Sequence, residues 1–342
     1  MIIRSKAPLR IGLAGGGTDV SPYADLYGGS ILNATINLYA HATLIPTETN
    51  RIVLDAKDQN LRLEYSAAEP LPLNGELDLL KGVYNRLIKD YNIEKRSFTL
   101  ITHVDAPPGS GLGSSSTLVV AVLGAFVHWY KLPLGEYDIA HLAYEIERID
   151  LNLAGGRQDQ YAATFGGFNF MEFYKDDKVI VNPLRIRKKI MLELQNNLVL
   201  FYTGNSRESA KIIDQQTANI RSKSNSAIEA THKVKEQSIL MKEALLRGDV
   251  HKIGSILHFG WEHKKQMAKG ISNPEIEKLY NAALKAGASG GKISGAGGGG
   301  FIFFYCPENT RFSVIEALSK FDGRVKHYEF ATSGLYSYDF ES

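Results

Sequence analysis

Apolar positions in the first half of the chain fall into short runs broken by turn residues. Ile31 to Ile45 is rich in Thr, Ile, Leu and Tyr, and Arg51 to Asp55 and Leu61 to Tyr65 are shorter runs of the same kind; all three predict strands. The period changes at Leu77 to Tyr91, where Leu80, Val83, Tyr84, Leu87 and Ile88 recur at helical spacing. Ser97 to His103 predicts a strand, and the continuous apolar run Thr117 to Trp129 a buried helix. Tyr137 to Ile149 predicts a helix with Ile139, Leu142, Ala143 and Ile146 on one side. A turn at Gly166-Gly167 then leads into a strand, Phe168 to Tyr174.

The pattern shifts after Asp176. Leu198 to Thr203 predicts a strand, and Ser206 to Arg247 is long, polar and helical, with room for more than one helix. Asp249 to Lys269 and Pro274 to Ala286 add helices. The glycine-rich segment Lys292 to Tyr305 ends in an aromatic strand, Phe301 to Tyr305. A boundary near residue 180 divides an N-terminal domain, 1–180, from a C-terminal domain, 181–342. Helices and strands without a regular βαβα rhythm predict the α+β class rather than a doubly wound sheet.

Composition narrows this picture only a little. A chain of 342 residues has the length of two domains or one large one. The net charge of +2 is dispersed, which gives no reason to expect a nucleic-acid partner. Cys306 is the single cysteine, which excludes an intrachain disulfide and a thiolate zinc site. Met1 to Lys6 lacks the apolar stretch of a signal peptide, and Leu118 to Val127 is shorter than the ~20 residues that span a bilayer. The expectation is a cytoplasmic protein with no membrane partner.

The chemistry begins at Pro107-Pro108-Gly109-Ser110-Gly111-Leu112-Gly113-Ser114-Ser115-Ser116, which runs straight into the apolar helix. Glycines let a backbone approach a ligand closely. A helix start offers unpaired N–H groups and the positive end of the dipole, and three serines can cap the helix, donate to phosphate oxygens or ligate a metal. The stretch reads as a phosphate cradle. No lysine follows the glycines as it does in G-x-x-x-x-G-K-[ST], so positive charge has to come from a metal, the dipole or a distant cation. Gly295-Ala296-Gly297-Gly298-Gly299-Gly300 formally matches G-x-G-x-x-G, but an aromatic strand follows instead of a helix, which rejects a dinucleotide fingerprint.

Three segments occur in one order: Ala7-Pro8-Leu9-Arg10-Ile11-Gly12-Leu13-Ala14-Gly15-Gly16-Gly17-Thr18-Asp19, then Pro107 to Ser116, then Lys292-Ile293-Ser294-Gly295-Ala296-Gly297-Gly298-Gly299-Gly300. Together they resemble the three motifs of the GHMP small-molecule kinases. The form A-G-G-G-T-D, with Tyr202 to Arg207 later, is most similar to the D-glycero-D-manno-heptose 7-phosphate kinase branch, with fucose kinases as near relatives.

The resemblance implies an N-terminal ribosomal S5-like domain, a C-terminal ferredoxin-like domain and a site between them. It also implies ATP as co-substrate, Mg2+ as its partner, and transfer of phosphate to the anomeric hydroxyl of a heptose phosphate for nucleotide-activated heptose and surface glycans.

Residue roles carry over in the same way. Asp159, in Gly156-Arg157-Gln158-Asp159-Gln160, is the implied base, and Arg10 the cation beside it. Pro108 to Ser116 hold the nucleotide phosphates. Gly16, Gly17, Thr18, Asp19, Gly297 and Gly298 are implied on the substrate side. Ser115 and Glu147 are the implied metal ligands, with Ser114 and Glu145 open as alternatives. A phosphorylated acceptor needs further cations, for which Arg207 and Lys264 or Lys265 are candidates. Kinases of unphosphorylated sugars, a non-catalytic sensor on the same fold, and a homodimer stay open.

Overall fold

Two sheets carry the fold in a computed structural model that describes residues 1–204 and 209–341. The chain first builds β1 (Ile2–Ala14), α1 (Tyr23–Tyr27), β2 (Gly29–Pro46), β3 (Arg51–Ala56), β4 (Leu61–Ser66) and α2 (Asp78–Tyr91). It continues through β5 (Phe98–Val104), α3 (Ser114–Tyr130), α4 (Glu136–Glu145), α5 (Gln158–Phe165), β6 (Phe168–Phe173) and β7 (Val179–Pro183). The remainder forms α6 (Lys188–Asn197), β8 (Leu198–Tyr202), α7 (Ser209–Arg221), α8 (Asn225–Arg247), α9 (Ile253–Met267) and α10 (Pro274–Lys285). It closes with β9 (Gly290–Ile293), β10 (Phe301–Tyr305), α11 (Arg311–Leu318), β11 (Arg324–Lys326) and β12 (Tyr336–Phe340).

The first sheet runs β12-β1-β2-β5-β3-β4, with β6 and then β7 attached to the early part of β2. Only β3 and β5 pair in parallel; the other pairs are antiparallel. Strand β2 is long enough to serve two neighbours on one side, β6 along Gly29 to Ala34 and β5 along Ala40 to Pro46. The second sheet, β11-β8-β10-β9, is wholly antiparallel. Its connectivity is the βαββαβ of a ferredoxin-like domain.

Both faces of the second sheet are buried at its central strands β8 and β10, which therefore lack polar alternation. Leu198 and Leu200 of β8, with Phe301, Phe303 and Tyr305 of β10, join the core of the first sheet. Val199, Phe201, Ile302 and Phe304 face the opposite way, into a second core under α9, α10 and α11. The two domains therefore share a continuous apolar interior.

The expected strands and helices form, with ends moved by at most a few residues. The exception is the helix over Tyr137 to Ile149, which stops at Glu145 and continues as a π-helical turn, Ile146–Asp150. The boundary expected near residue 180 falls inside β7, and β12 returns to pair with β1. The second domain is thus inserted between β7 and β12 of the first, and the last strand of the chain belongs to the N-terminal sheet.

Candidate active site

The three glycine-bearing stretches meet at one cleft between the domains, about 1090 Å3 including its open mouth. They are locked together by backbone groups. Arg10 N–H donates to Leu112 O at 3.0 Å, and Phe301 N–H to Ser110 O at 2.8 Å. Glycine is required at these crossings: a Cβ on Gly111 would lie 2.2 Å from Ser294 O, and one on Gly300 2.4 Å from Ser110 O. The glycines of the third segment therefore hold the phosphate loop in place.

Arg10 and Asp159 form the centre. The Arg10 Nε and Nη2 reach Asp159 Oδ1 at 2.7 and 2.6 Å, while Nη1 donates to Gly111 O at 2.6 Å. Arg10 is buried on β1; Asp159 sits in the first turn of α5 with its carboxylate partly open to the cleft. A guanidinium fixed on both sides holds the carboxylate oriented, with one oxygen left for a ligand hydroxyl.

On one side lies the phosphate loop. Gly113 enters α3 with φ 80°, and no side chain caps the helix, so its first-turn N–H groups are available to an anion. Of the loop residues, Gly109, Gly111, Gly113 and Ser114 to Ser116 line the cleft; Leu112 is buried in the core instead. Ser110 is buried behind the loop, bonded to Ser114 Oγ at 3.1 Å, and Pro108 is outside the lining.

Ser115 is exposed on the cleft wall, whereas Ser116 is buried and accepts from Gln160 Nε2 at 3.2 Å. Gln160 Nε2 also bonds Glu147, which is 1% exposed. Burial raises the Glu147 pKa, against the pull of Arg148, whose Nη1 stands 3.7 Å away. Glu147 and Glu145 are two positions apart, which puts them on opposite sides of the helix; Glu147 faces inward at the start of the π turn, which is closed by Leu151 N–H on Ile146 O at 3.0 Å. Glu145 points outward to Arg86 at 2.7 Å.

The other side belongs to the first motif. Gly17 and Asp19 line the cleft; Gly16 and Thr18 do not. Thr18 is buried with its hydroxyl tied to the backbone of Ser30 in both directions, at 2.9 and 3.0 Å, which makes it structural. Asp19 is 1% exposed and anchors the start of α5, accepting from Arg157 N–H at 2.9 Å and Gln158 N–H at 3.0 Å. Burial raises its pKa, opposed by those N–H groups and reinforced by Asp159.

Two buried lysines complete this side. Lys264 Nζ donates to Gly295 O at 2.7 Å and lies 3.4 Å from Gly16 O. Lys292 Nζ donates to Gly12 O at 2.6 Å. Burial pushes Lys264 down to about 8, helped by Arg10 and resisted by Asp19, and pushes Lys292 well down for the same reason, with Lys264 and Arg10 adding to it.

Some expected site residues stand elsewhere. Gly297 and Gly298 turn away from the cleft onto Ile271, where Gly298 N–H donates to Ile271 O at 2.9 Å. Lys265 forms surface ion pairs with Glu262 and Glu277. Arg207 lies outside the described residues. Lys292, Arg148 and Gln216 were not anticipated at the site. Lys292 alone had a signal, as the first residue of the third motif.

The chain matches the GHMP kinases N terminal domain over residues 78–167 and the GHMP kinases C terminal domain over residues 241–323. It is 49% identical over 336 residues to D-glycero-alpha-D-manno-heptose 7-phosphate kinase of Campylobacter jejuni, covering 98% of each chain. The crystal structure of a D-glycero-D-manno-heptose 1-phosphate kinase from Bacteroides thetaiotaomicron matches with a TM-score of 0.85 at 47% identity, over 99% of this chain and 100% of that one. A more distant similarity, 26% over 337 residues, is to the bifunctional fucokinase/GDP-fucose pyrophosphorylase of Arabidopsis thaliana, over 94% of this chain and 32% of that protein.

Proposed function

This chain belongs to the GHMP kinases, and from that premise we propose that it phosphorylates the anomeric C1 hydroxyl of D-glycero-D-manno-heptose 7-phosphate, giving the 1,7-bisphosphate. The observation that carries the reading is the 49% identity to a heptose 7-phosphate kinase along nearly the whole of both chains. The product would supply nucleotide-activated heptose for surface glycans, made in the cytoplasm. No helix among the described residues is long and apolar enough to cross a membrane.

In this reading ATP lies with its phosphates against Gly109 to Ser116 and the start of α3. The acceptor hydroxyl lies at Asp159, which orients it and takes its proton as the phosphoryl group arrives. Arg10 holds Asp159 in place and adds positive charge where the transferring group accumulates negative charge. Lys264 adds a second cation on the acceptor side.

The wall beside the phosphate loop fits Mg2+. Its donors are hard oxygens, the Glu147 carboxylate and the Ser115 hydroxyl, and the described residues hold no cluster of three His, Cys, Asp or Glu side chains. Such a sparse set suits an ion that keeps its waters and binds mainly through nucleotide phosphates. When bound, the ion neutralises charge on the β- and γ-phosphates.

The fucokinase similarity supports one rival, a kinase of an unphosphorylated sugar. ADP release with heptose 7-phosphate, heptose 1-phosphate, heptose, fucose and galactose decides between them, with 31P NMR of the product locating the new phosphate. The heptose 7-phosphate should have the highest kcat/KM, by roughly one to two orders of magnitude over heptose if one charge-assisted contact holds the remote phosphate. Equal use of fucose or galactose would overturn the assignment, and preference for the 1-phosphate would reverse the regiochemistry.

A further inference from the structure

On the acceptor side α7 presents Ala210, Ile213 and Gln216 to the cleft, three positions spaced to share one helix face. Two are apolar wall. The third is a carboxamide that is 6% exposed, with Nε2 buried and without a hydrogen-bond partner among the described residues. Buried polar groups in folded proteins are almost always paired, so an unpaired amide donor at a binding cleft indicates a partner that arrives with the ligand.

Its neighbours say what that partner is. Gln216 stands against Gly17, where a Cβ would come within 3.2 Å of Gln216 Oε1. Beyond Gly17 is Asp19. Its Oδ2 accepts from two backbone N–H groups, whereas the side-chain donor nearest Oδ1, Gln158 Nε2, is a long 3.5 Å away. A free donor and an underused anionic acceptor therefore wall the same end of the cleft. A phosphate would suit the donor and be repelled by Asp19. Hydroxyls both donate and accept, and neighbouring hydroxyls on a sugar ring satisfy both groups.

We propose that Gln216 is a specificity-determining residue of the acceptor site: Nε2 donates to one ring hydroxyl of the sugar, and Asp19 Oδ1 accepts from a neighbouring one. This rests on the sugar-kinase reading above. The competing occupant is a water in the small void behind Gln216, between Thr217, Thr231 and Met267.

The test replaces Gln216 by leucine, which keeps the bulk and removes the amide. In Gln216→Leu the KM for the sugar substrate should rise about 10- to 100-fold, with kcat and the KM for ATP within a few-fold. The melting temperature should hold or rise, because no unpaired amide remains. Monodeoxy analogues of the substrate add a readout that packing alone would not move. Wild-type enzyme should discriminate against the analogue lacking the contacted hydroxyl, and Gln216→Leu should lose that discrimination at that ring position only. Gln216→Met, also free of an amide, should behave alike.

An unchanged sugar KM with a lowered melting temperature would assign the amide to the buried water and overturn the proposal. So would an equal effect on every deoxy analogue. Wild-type enzyme that used no sugar or sugar phosphate would overturn the parent reading as well, whereas normal wild-type turnover with an unaltered Gln216→Leu would overturn the Gln216 assignment alone.

Discussion

Arg10 and Asp159 are 149 positions apart in the chain and share one carboxylate oxygen in the cleft. Replacing that carboxylate removes both the proton acceptor and the counter-charge of a buried guanidinium. Asp159→Asn should lower turnover by roughly 10²–10⁴ with little change in the KM for ATP. Some thermal stability should go with it, so turnover is best compared well below both melting temperatures. Near-normal turnover at saturating substrate would remove Asp159 from the chemistry.

Lys264 makes a prediction about pH. Its folded pKa of about 8 lies below the unfolded value, so between about 8 and 10.4 the unfolded chain binds more protons. Stability from this group therefore rises with pH across that window, and below it the folded state carries the full penalty, about 3 kcal/mol. Lys264→Met should be more stable than wild type at pH 7 and should lack that part of the alkaline rise, while acceptor KM increases. Parallel stability–pH curves for the two proteins, measured by urea denaturation, would show that the amine does not titrate in the window.

At the scale of elements, the helices that were legible are those whose burial repeats with their own period. Helix α3 is apolar on every side because it is enclosed by β1, β2, α2, α4 and α5, so its sequence announced it. Strand β1 is enclosed too, but it contains Pro8 and Gly12, carries Arg10, and shifts register on β2 beside Pro8. Those residues read as a motif and hid the strand. The short strands β7, β11 and β12 form because a neighbour supplies their hydrogen bonds, which is tertiary information.

The same holds for the site. Asp159, Arg10 and the phosphate loop were carried by local motifs. A glutamine in a polar helix looks like surface, and only the packing of α7 over Gly17 sets Gln216 apart.

The π turn carries a carboxylate whose role can be tested. Glu147 is buried there and burial raises its pKa, so the ionised form is held at a cost. A carboxyl whose folded pKa exceeds its unfolded value destabilises the fold above that range, and the penalty lifts as pH falls. Glu147→Gln should thus be at least as stable as wild type at pH 7. Its half-saturating Mg2+ concentration at fixed ATP should rise roughly 10-fold or more. An unaltered metal titration would leave Glu147 as a partner of Gln160 and Ser116 only.

At the scale of the whole molecule, the cleft is held by contacts that cross between domains in both directions. Lys292 reaches back to Gly12, Lys264 to Gly16, and Arg10 forward to Ser294 Oγ at 3.4 Å. The chain then leaves the second domain and returns along the first. Leu335 settles on α3 at Gly124, where a Cβ would come within 2.6 Å of it. From there β12 pairs with β1 from Lys6↔Tyr336 to Ile2↔Phe340, and Ser337 bonds Ser5 at 2.9 Å.

Deleting Leu335 to Ser342 would uncover the apolar seat on α3 and leave β1 as an unpaired edge, which is prone to association. The melting temperature should drop by roughly 5–10 °C, and aggregation on heating should increase. The site should suffer much less. From Arg10 to Ala14, β1 takes its register from β2, at pairs such as Arg10↔Thr35 and Ile11↔Ala34, beyond the reach of β12. At 25 °C the truncated enzyme should therefore keep kcat/KM within about tenfold of full length, a loss of less than 1.4 kcal/mol. An undiminished melting temperature would show that the returning strand adds nothing to the sheet. A collapse of activity in a protein still folded at 25 °C would show that β12 sets the position of Arg10 from outside the cleft.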